Sequence, residues 1–403
     1  MVVVGGGAAG AQFCASMIDS KEDVQLVLVG SEPHLPYQRP PLSKTYLKDP
    51  SPGPALLRAA SFYSDNHATL RLSSTVKRLN LQGKNVELDS GESITYDMLV
   101  LATGTHARTL PLLTGDYANV FTLRTLDDAV RLREQMQVAQ NVLIIGGGFI
   151  GLELAATSVQ LGKAVTLLEA APRLLGRSSS PEVSAYLLNK HRTTGVDIRL
   201  QTVVDRIDAS NGIVDGVWVG SQRLPVDVIV VGIGAVPNDA LAREAGLECA
   251  NGIVVDEFMR TSDPSVLAIG DCTAFPSSTL GYRIRLESVQ NANDQARCAA
   301  RTVLGKPEPY TALPWFWSDQ GTVRIQIAGV PGQEHKRVVR GDPAQDKFSV
   351  LYFDGDVLTA VESINSTADH IAARKLIVAG AGIPLERAMN PAVPLKEVLS
   401  SVA

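Results

Sequence analysis

Cysteine, aromatic residues and long apolar runs are all scarce in this chain. Only Cys14, Cys249, Cys272 and Cys298 occur among its 403 residues, and no two of them stand at C-x-x-C spacing. That excludes a disulfide framework and argues against a paired-thiol or zinc motif, leaving four structural cysteines in a reduced, cytoplasmic setting. The six histidines show no ligand spacing, and no metal site is expected. No stretch reaches the roughly 18 apolar residues of a membrane-spanning helix. Neither charge sign dominates. With 37 Lys and Arg against 42 Asp and Glu the formal net charge is -5, which gives no bulk pull toward nucleic acid or anionic membrane. The opening MVVVGGG has no basic region ahead of it. A secretory leader is therefore not expected, and the brief first apolar run leaves room for native residues before Met1.

What remains is an ordinary globular composition, 45% hydrophobic and 20% charged, in a chain long enough for roughly two or three domains. Glycine is placed with purpose. VVVGGGAAGA sets Gly5, Gly7 and Gly10 at G-x-G-x-x-G spacing behind a β-branched run. The first glycine makes a tight turn, the second admits a pyrophosphate against the backbone, and the third lets helix and strand pack closely. The following helix N-terminus offers partial positive charge and free N–H groups to phosphate. A second strand, VQLVLV, ends at Val29, and Ser31 or Glu32 stands where an acid would meet a ribose. NVLIIGGGFIGLELAA repeats the pattern with Gly146, Gly148 and Gly151, and its second strand AVTLLE ends in Glu169. An acid there favours NAD over NADP, because it repels a 2′-phosphate. Arg173 and Arg177 lie close by, as helix-surface residues or as phosphate contacts. Two fingerprints in one chain predict two dinucleotides, one per unit.

HLPYQRPPLSK, from His34 to Lys44, can be neither a helix nor a central strand, since Pro36, Pro40 and Pro41 donate no backbone hydrogen bond. From Trp315 the pattern changes: VRIQIAG, KFSVLYF and VLTAVESI read as short antiparallel strands. TADHIAARKLIVAG then reads as a helix with a glycine stop.

These segments, together with VLATG, LRTLDDA, GIGAVPN, TSDPSVLAIGDC, ESVQNANDQAR and PWFWSDQ, resemble in order and over essentially the whole chain one family. It is the flavoprotein ferredoxin reductases of bacterial oxygenase and cytochrome P450 systems, the putidaredoxin-reductase-like group within the wider class that includes glutathione reductase. The resemblance implies an α/β fold with two Rossmann-like dinucleotide-binding domains, for FAD and NAD, and a C-terminal α+β domain with an antiparallel sheet. The FAD domain would comprise 1–109 and 238–314, the NAD domain 110–237 and the C-terminal domain 315–403.

Site residues follow by the same resemblance. FAD would be met by Gly5, Gly7, Ala9, Gly10, Ser31 or Glu32, Arg39, Lys44, Ala102, Thr103, Gly104, Arg124 and Asp271, with Val76 and Val289 acting through backbone. Gly146, Gly148, Phe149, Ile150, Gly151, Glu153, Glu169, Arg177 and Gly234 would serve the NAD side. Lys44 would lie near flavin N5 and pair with Glu153 beside the nicotinamide, and Trp317 would lie at the flavin ring on the electron route. Trp315 and Phe316 are left to packing.

The implied activity is transfer of hydride from NADH to FAD, then of single electrons to a two-iron two-sulfur ferredoxin, a transient and acidic partner that feeds a cytochrome P450 or ring-hydroxylating oxygenase. Rubredoxin is an alternative acceptor. A redox-responsive flavoprotein of the apoptosis-inducing-factor type is an alternative function. A thiol-assisted disulfide reductase or NADH oxidase is disfavoured, because Ser43 and Lys44 occupy the stretch where its cysteines would stand.

Overall fold

A computed structural model of the chain describes every residue except Thr279, Gln333, Ala381 and 401–403. The chain divides into two units. The first comprises Met1–Gln38, Pro54–His106 and Val236–Ala312, and the second Arg39–Gly53, Ala107–Ala235 and Leu313–Ala403.

Within the first unit, four apolar triplets and one polar edge strand line up as a parallel sheet. Its order is Thr69–Arg71, Val27–Val29, Val2–Val4, Leu99–Leu101 and Val266–Ala268. Numbered along the chain this is 3-2-1-4-5, the order of a dinucleotide-binding sheet. Runs such as VVV and LVL are apolar throughout because both faces of the sheet are covered. Helices Ala8–Asp19 and Val289–Val303 pack together beside it, and Phe13, Met17 and Tyr63 are among its fully buried large side chains. The order reverses between Val2–Val4 and Leu99–Leu101, and the first glycine loop leaves the sheet there. In open α/β sheets that crevice is where ligands bind.

The second unit repeats the arrangement. Its parallel sheet runs Asp197–Leu200, Ala164–Glu169, Asn141–Ile145, Val228–Val231 and Val120–Phe121, with the second glycine loop after Asn141–Ile145. A separate antiparallel sheet runs Trp315–Gln320, Val323–Ala328, Val357–Ile364, Lys347–Asp354 and Lys336–Asp342. One face of it packs with helix Thr367–Ala379 through Ala328, Leu351, Val361 and Leu376. Val323, Ile325 and Phe348 instead join a core with Ile144 of the parallel sheet and Leu152 of the helix that follows it. The helix stops at Gly380, whose φ of +59° is the left-handed C-cap that glycine adopts without strain. Strand Lys336–Asp342, KRVVRGD, lacks a strong apolar signal because it is an edge with outward charges.

Arg340 on that edge is the exception, for it points inward and is 3% exposed. It donates to the carbonyls of Ala388 (3.0 Å), Asn390 (2.6 Å) and Val393 (2.8 Å), and its Nε lies 3.2 Å from Asp369 Oδ2. Removing a partner from such a buried charged network leaves acceptors unmatched and costs about 3 kcal/mol. Arg340→Met is therefore expected to lower the melting temperature and to open the 384–395 segment to proteolysis first. Unchanged cleavage there would show that the clamp is dispensable.

Candidate active site

The first glycine loop is fixed by the protein's own backbone at two of its three glycines. Gly5 has φ +121°, and a Cβ there would stand 2.1 Å from the Ala102 carbonyl oxygen. A Cβ on Gly10 would stand 2.0 Å from the Gly5 carbonyl oxygen. Gly7 differs, since a Cβ there would meet nothing within 4 Å. The missing side chain leaves an open cradle at the start of helix Ala8–Asp19, whose N-terminus carries no side-chain cap. Helices Leu126–Val138, Pro181–Thr193 and Val289–Val303 are instead capped by Thr125, Ser180 and Ser288. Uncapped N–H groups around an open cradle suit a dinucleotide pyrophosphate.

The neighbouring segments close on this loop. Ala102 N donates to Val4 O at 2.8 Å. Thr103 Oγ1 donates to Asn238 O at 2.7 Å, and Asn238 Nδ2 returns a bond to Thr103 O at 2.8 Å. Gly104 follows with φ +65°. A Cβ on Gly270 would stand 3.0 Å from Ala9 Cβ, so the turn carrying Asp271 abuts the fingerprint. Gln295 Oε1 pins that turn by accepting from Gly270 N (2.7 Å) and Thr273 Oγ1 (2.9 Å). Val289 opens the helix that carries Gln295. Beyond Val27–Val29, Ser31 is exposed, whereas the Glu32 carboxylate accepts from Tyr37 Oη at 2.5 Å. Val76 begins the antiparallel strand Val76–Asn80.

The second loop obeys the same rules. A Cβ on Gly146, φ +111°, would stand 2.4 Å from Gly232 O, and one on Gly151 would stand 2.1 Å from Gly146 O. At Gly148 the nearest atom is an ordinary 3.9 Å away, and its helix Phe149–Gln160 is also uncapped. Glu169 ends its strand with the carboxylate accepting from Gly147 N (2.6 Å) and Ala171 N (2.7 Å), which ties it to the loop. Neither Arg173 nor Arg177 lies on a helix. Arg173 braces its own loop through the carbonyls of Gly176 and Ser179. Exposed Arg177 reaches toward Gly234, with Nη2 3.6 Å from where a Cβ would sit. Phe149 packs edge-on against Phe316 at 4.7 Å, and Ile150 is 45% exposed.

Helix Phe149–Gln160 also presents Glu153 and Thr157, four residues apart and so on one face, to Pro40–Ser43, a one-turn 3-10 helix where the prolines had excluded any helix. Pro40 and Pro41 stand at its first two positions, where a missing N–H costs no helical bond. Lys44 Nζ lies 2.7 Å from Glu153 Oε2 and donates to Pro40 O at 3.0 Å. Ser43 Oγ donates to Glu153 Oε2 at 2.5 Å, Thr157 Oγ1 to Ser43 O at 2.8 Å, and Ser318 Oγ to Glu153 Oε1 at 2.7 Å. Glu153 is 4% exposed, so this is a buried carboxylate met by one cation and two hydroxyls. Arg39, at the start of the same turn, donates to Arg124 O at 2.5 Å. Strand alternation splits WFWSDQ between two faces. Trp317 stacks obliquely with Trp315, 5.8 Å between centroids, while Phe316, Ser318 and Gln320 turn the other way.

The structure thus gathers Gly5, Gly7, Ala9, Gly10, Ala102, Thr103, Gly104 and Asp271 in the first unit. In the second it gathers Gly146, Gly148, Gly151 and Glu169 at one loop, and Lys44 with Glu153 at one ion pair. Sequence reasoning passed over Thr157, Ser318 and Gln295, and noted Ser43 only as standing where a cysteine would, without a role of its own. The i, i+4 pair Glu153/Thr157 was the one signal that could have drawn attention to the Ser43 side.

All four thiols are free, and burial raises each above its usual range: Cys14 to about 12, Cys298 to about 11, with Cys249 and Cys272 shifted the same way. A thiolate nucleophile needs the opposite shift. Among the described residues no His, Cys, Asp and Glu group could hold a metal ion, and no helix is long and apolar enough to cross a membrane.

Comparison with known proteins gives the family. The family model for pyridine nucleotide-disulphide oxidoreductases matches residues 1–296, and that for the reductase C-terminal domain matches 315–399. Rhodocoxin reductase of Rhodococcus erythropolis is 41% identical over 398 residues, covering 98% of this chain and 93% of that protein. The crystal structure of a covalent putidaredoxin reductase–putidaredoxin complex superposes with a TM-score of 0.96 at 38% identity, covering 100% of this chain and 98% of that one. The ferredoxin reductase for the CYP199A2 system of Rhodopseudomonas palustris gives 0.95 at 40% identity, over 100% and 99%. The chain belongs to the pyridine nucleotide-disulphide oxidoreductase family, in the branch that carries the reductase C-terminal domain and contains ferredoxin reductases.

Proposed function

We infer that this protein is an NADH-dependent ferredoxin reductase of the cytoplasm, carrying FAD and serving a cytochrome P450 or ring-hydroxylating oxygenase through a two-iron two-sulfur ferredoxin. The FAD domain is formed by 1–109 and 238–314, the NAD domain by 110–237 and the C-terminal domain by 315–403. The carrying observation is the Lys44–Glu153 ion pair, its carboxylate buried on the helix of the second glycine loop, in a chain whose four cysteines are free and whose thiols burial shifts upward. A disulfide reductase needs a reactive cysteine, and this chain offers a fixed ammonium and carboxylate instead.

FAD, when bound, supplies the chemistry that joins a two-electron donor to a one-electron acceptor. The chain's own residues bind and orient. Gly5, Gly7 and Gly10 cradle the FAD pyrophosphate, with Ala9, Ala102, Thr103 and Gly104 around it and Asp271 at the ribityl chain. Glu32 takes the ribose in preference to exposed Ser31, Val76 and Val289 contribute backbone, and Arg39 and Arg124 serve the phosphate and adenylate side. Gly146, Gly148, Phe149, Ile150, Gly151, Arg177 and Gly234 form the NAD site. Glu169 receives the ribose hydroxyls and disfavours a 2′-phosphate. Lys44 holds positive charge beside the flavin, Glu153 orients the nicotinamide carboxamide, and Trp317 lies at the flavin ring.

Anaerobic titration of the purified yellow protein with NADH tests this. Bleaching is expected near one equivalent per flavin, the flavin being the sole two-electron store, with NADPH bound at least about tenfold more weakly because like charges would meet at Glu169. Consumption of a second equivalent would reveal a thiol or another acceptor and end the ferredoxin-reductase assignment.

A further inference from the structure

Glu153 does not stop at Lys44. Its Oε2 receives two donors, Lys44 Nζ and Ser43 Oγ, whereas among the described residues its Oε1 receives only Ser318 Oγ. A carboxylate offers about four acceptor positions, two per oxygen. One position on Oε1 is therefore left over, and its direction is set by where Ser318 sits. Ser318 is itself held: Gln320 Nε2 donates to its Oγ at 3.3 Å, and Gln320 Oε1 lies 2.8 Å from His191 Nε2. Ser318, Gln320 and His191 are 1%, 3% and 4% exposed, so the chain runs through the interior. Strand alternation puts Ser318 and Gln320 on one face, and helix Pro181–Thr193 brings up His191.

The polarity of this chain is determined. Burial holds the His191 imidazole below its usual range, hence neutral. Facing an amide oxygen, its Nε2 must carry the proton and donate. Gln320 then has its NH2 toward Ser318, whose hydroxyl is left with its proton for Glu153. Every bond donates toward the carboxylate, and a buried chain whose donors are all engaged in this way fixes one geometry.

We propose that Ser318, backed by Gln320 and His191, is a positioning residue that aims the remaining acceptor of Glu153 Oε1 at the carboxamide N–H of a bound nicotinamide. The proposal rests on the assignment of Glu153 to the nicotinamide given above. It makes the chain a determinant of affinity for the nicotinamide end and leaves the adenosine and pyrophosphate contacts untouched.

Calorimetric titration of the FAD-loaded protein with NAD+ and with ADP-ribose, which lacks the nicotinamide, separates the two. Ser318→Ala is expected to weaken NAD+ about tenfold, the loss from one misplaced hydrogen bond to a charged group, and to leave ADP-ribose unchanged. Gln320→Leu is expected to act the same way to a smaller extent, and Ser318→Thr, which keeps the hydroxyl, to restore NAD+ binding. Glu153→Gln is the reference, because its carbonyl turns to Lys44 and its NH2 to the Ser318 side, removing the acceptor. If Glu153→Gln weakens NAD+ selectively and Ser318→Ala does not, the chain is packing and the proposal fails while the nicotinamide assignment stands. If neither variant separates NAD+ from ADP-ribose, the assignment and the proposal fall together. Equal weakening of both ligands by Ser318→Ala would mean general damage and also overturns it.

Discussion

Glu153→Ala is expected to slow reduction of the bound flavin by NADH by about 100-fold, the scale on which a small displacement of a positioned group acts. The substitution removes the carboxylate that orients the nicotinamide and strands Lys44, whose side chain is only 17% exposed, with its charge unmatched. Stability should fall as well, by about 3 kcal/mol, as when one partner of a buried pair is deleted. Two readouts separate these effects: anaerobic stopped-flow following flavin absorbance, and the denaturation midpoint of the same variant. Lys44→Met, which leaves the carboxylate still bonded to Ser43 and Ser318, should be milder in stability yet comparably slow. Hydride transfer at the parent rate in both variants would remove this pair from the reaction.

Gly148→Ala and Gly146→Ala should fail in opposite ways although they lie two residues apart. At Gly148 a methyl meets no clash, so the variant should fold with an unchanged melting temperature and lose about a hundredfold in affinity for NAD+, the backbone contacts to its phosphates being charged hydrogen bonds. At Gly146 the methyl would stand 2.4 Å from Gly232 O on a backbone with φ +111°. Strain and clash together should cost about 4 kcal/mol or more and yield poorly folded protein. Gly7→Ala and Gly5→Ala form the matching pair, with FAD retention as the readout. A Gly148→Ala protein that binds NAD+ normally would mean that the open cradle is not where the pyrophosphate sits.

These contrasts show why parts of the site were legible in sequence. The fingerprint glycines sit at a spacing set by one strand–turn–helix unit, and the acid ending the next strand lies at a separation set by one helix. The spacing alone carries the message even where the backbone that excludes a Cβ, Ala102 for Gly5 and Gly232 for Gly146, lies far along the chain. The apolar triplets and the C-terminal helix with its glycine stop were readable for the same local reasons. Ser318 was not. Its partner lies 165 residues away in the chain, and a serine next to a tryptophan has no pattern until the strand's alternation assigns it a face. Gln320 and His191 were invisible likewise, since no spacing rule links a strand glutamine to a helix histidine. The ribose acid of the first unit stayed open between Ser31 and Glu32 because adjacent residues share a spacing; in the fold Ser31 is exposed while Glu32 accepts from Tyr37, a difference that no spacing rule carries. The surroundings of Arg173 and Arg177 follow from an irregular loop that offers no period to read.

The most direct test is to mix limiting NADH with the protein and excess purified two-iron two-sulfur ferredoxin under anaerobic conditions and count the product. Two ferredoxins should be reduced for each NADH oxidised, since the donor gives a pair of electrons and each acceptor takes one, while glutathione disulfide and hydrogen peroxide should be left intact. If ferredoxin stays oxidised and NADH is instead consumed with the disulfide or the peroxide, the protein is a thiol- or peroxide-directed oxidoreductase, and the assignment built on Lys44 and Glu153 is wrong.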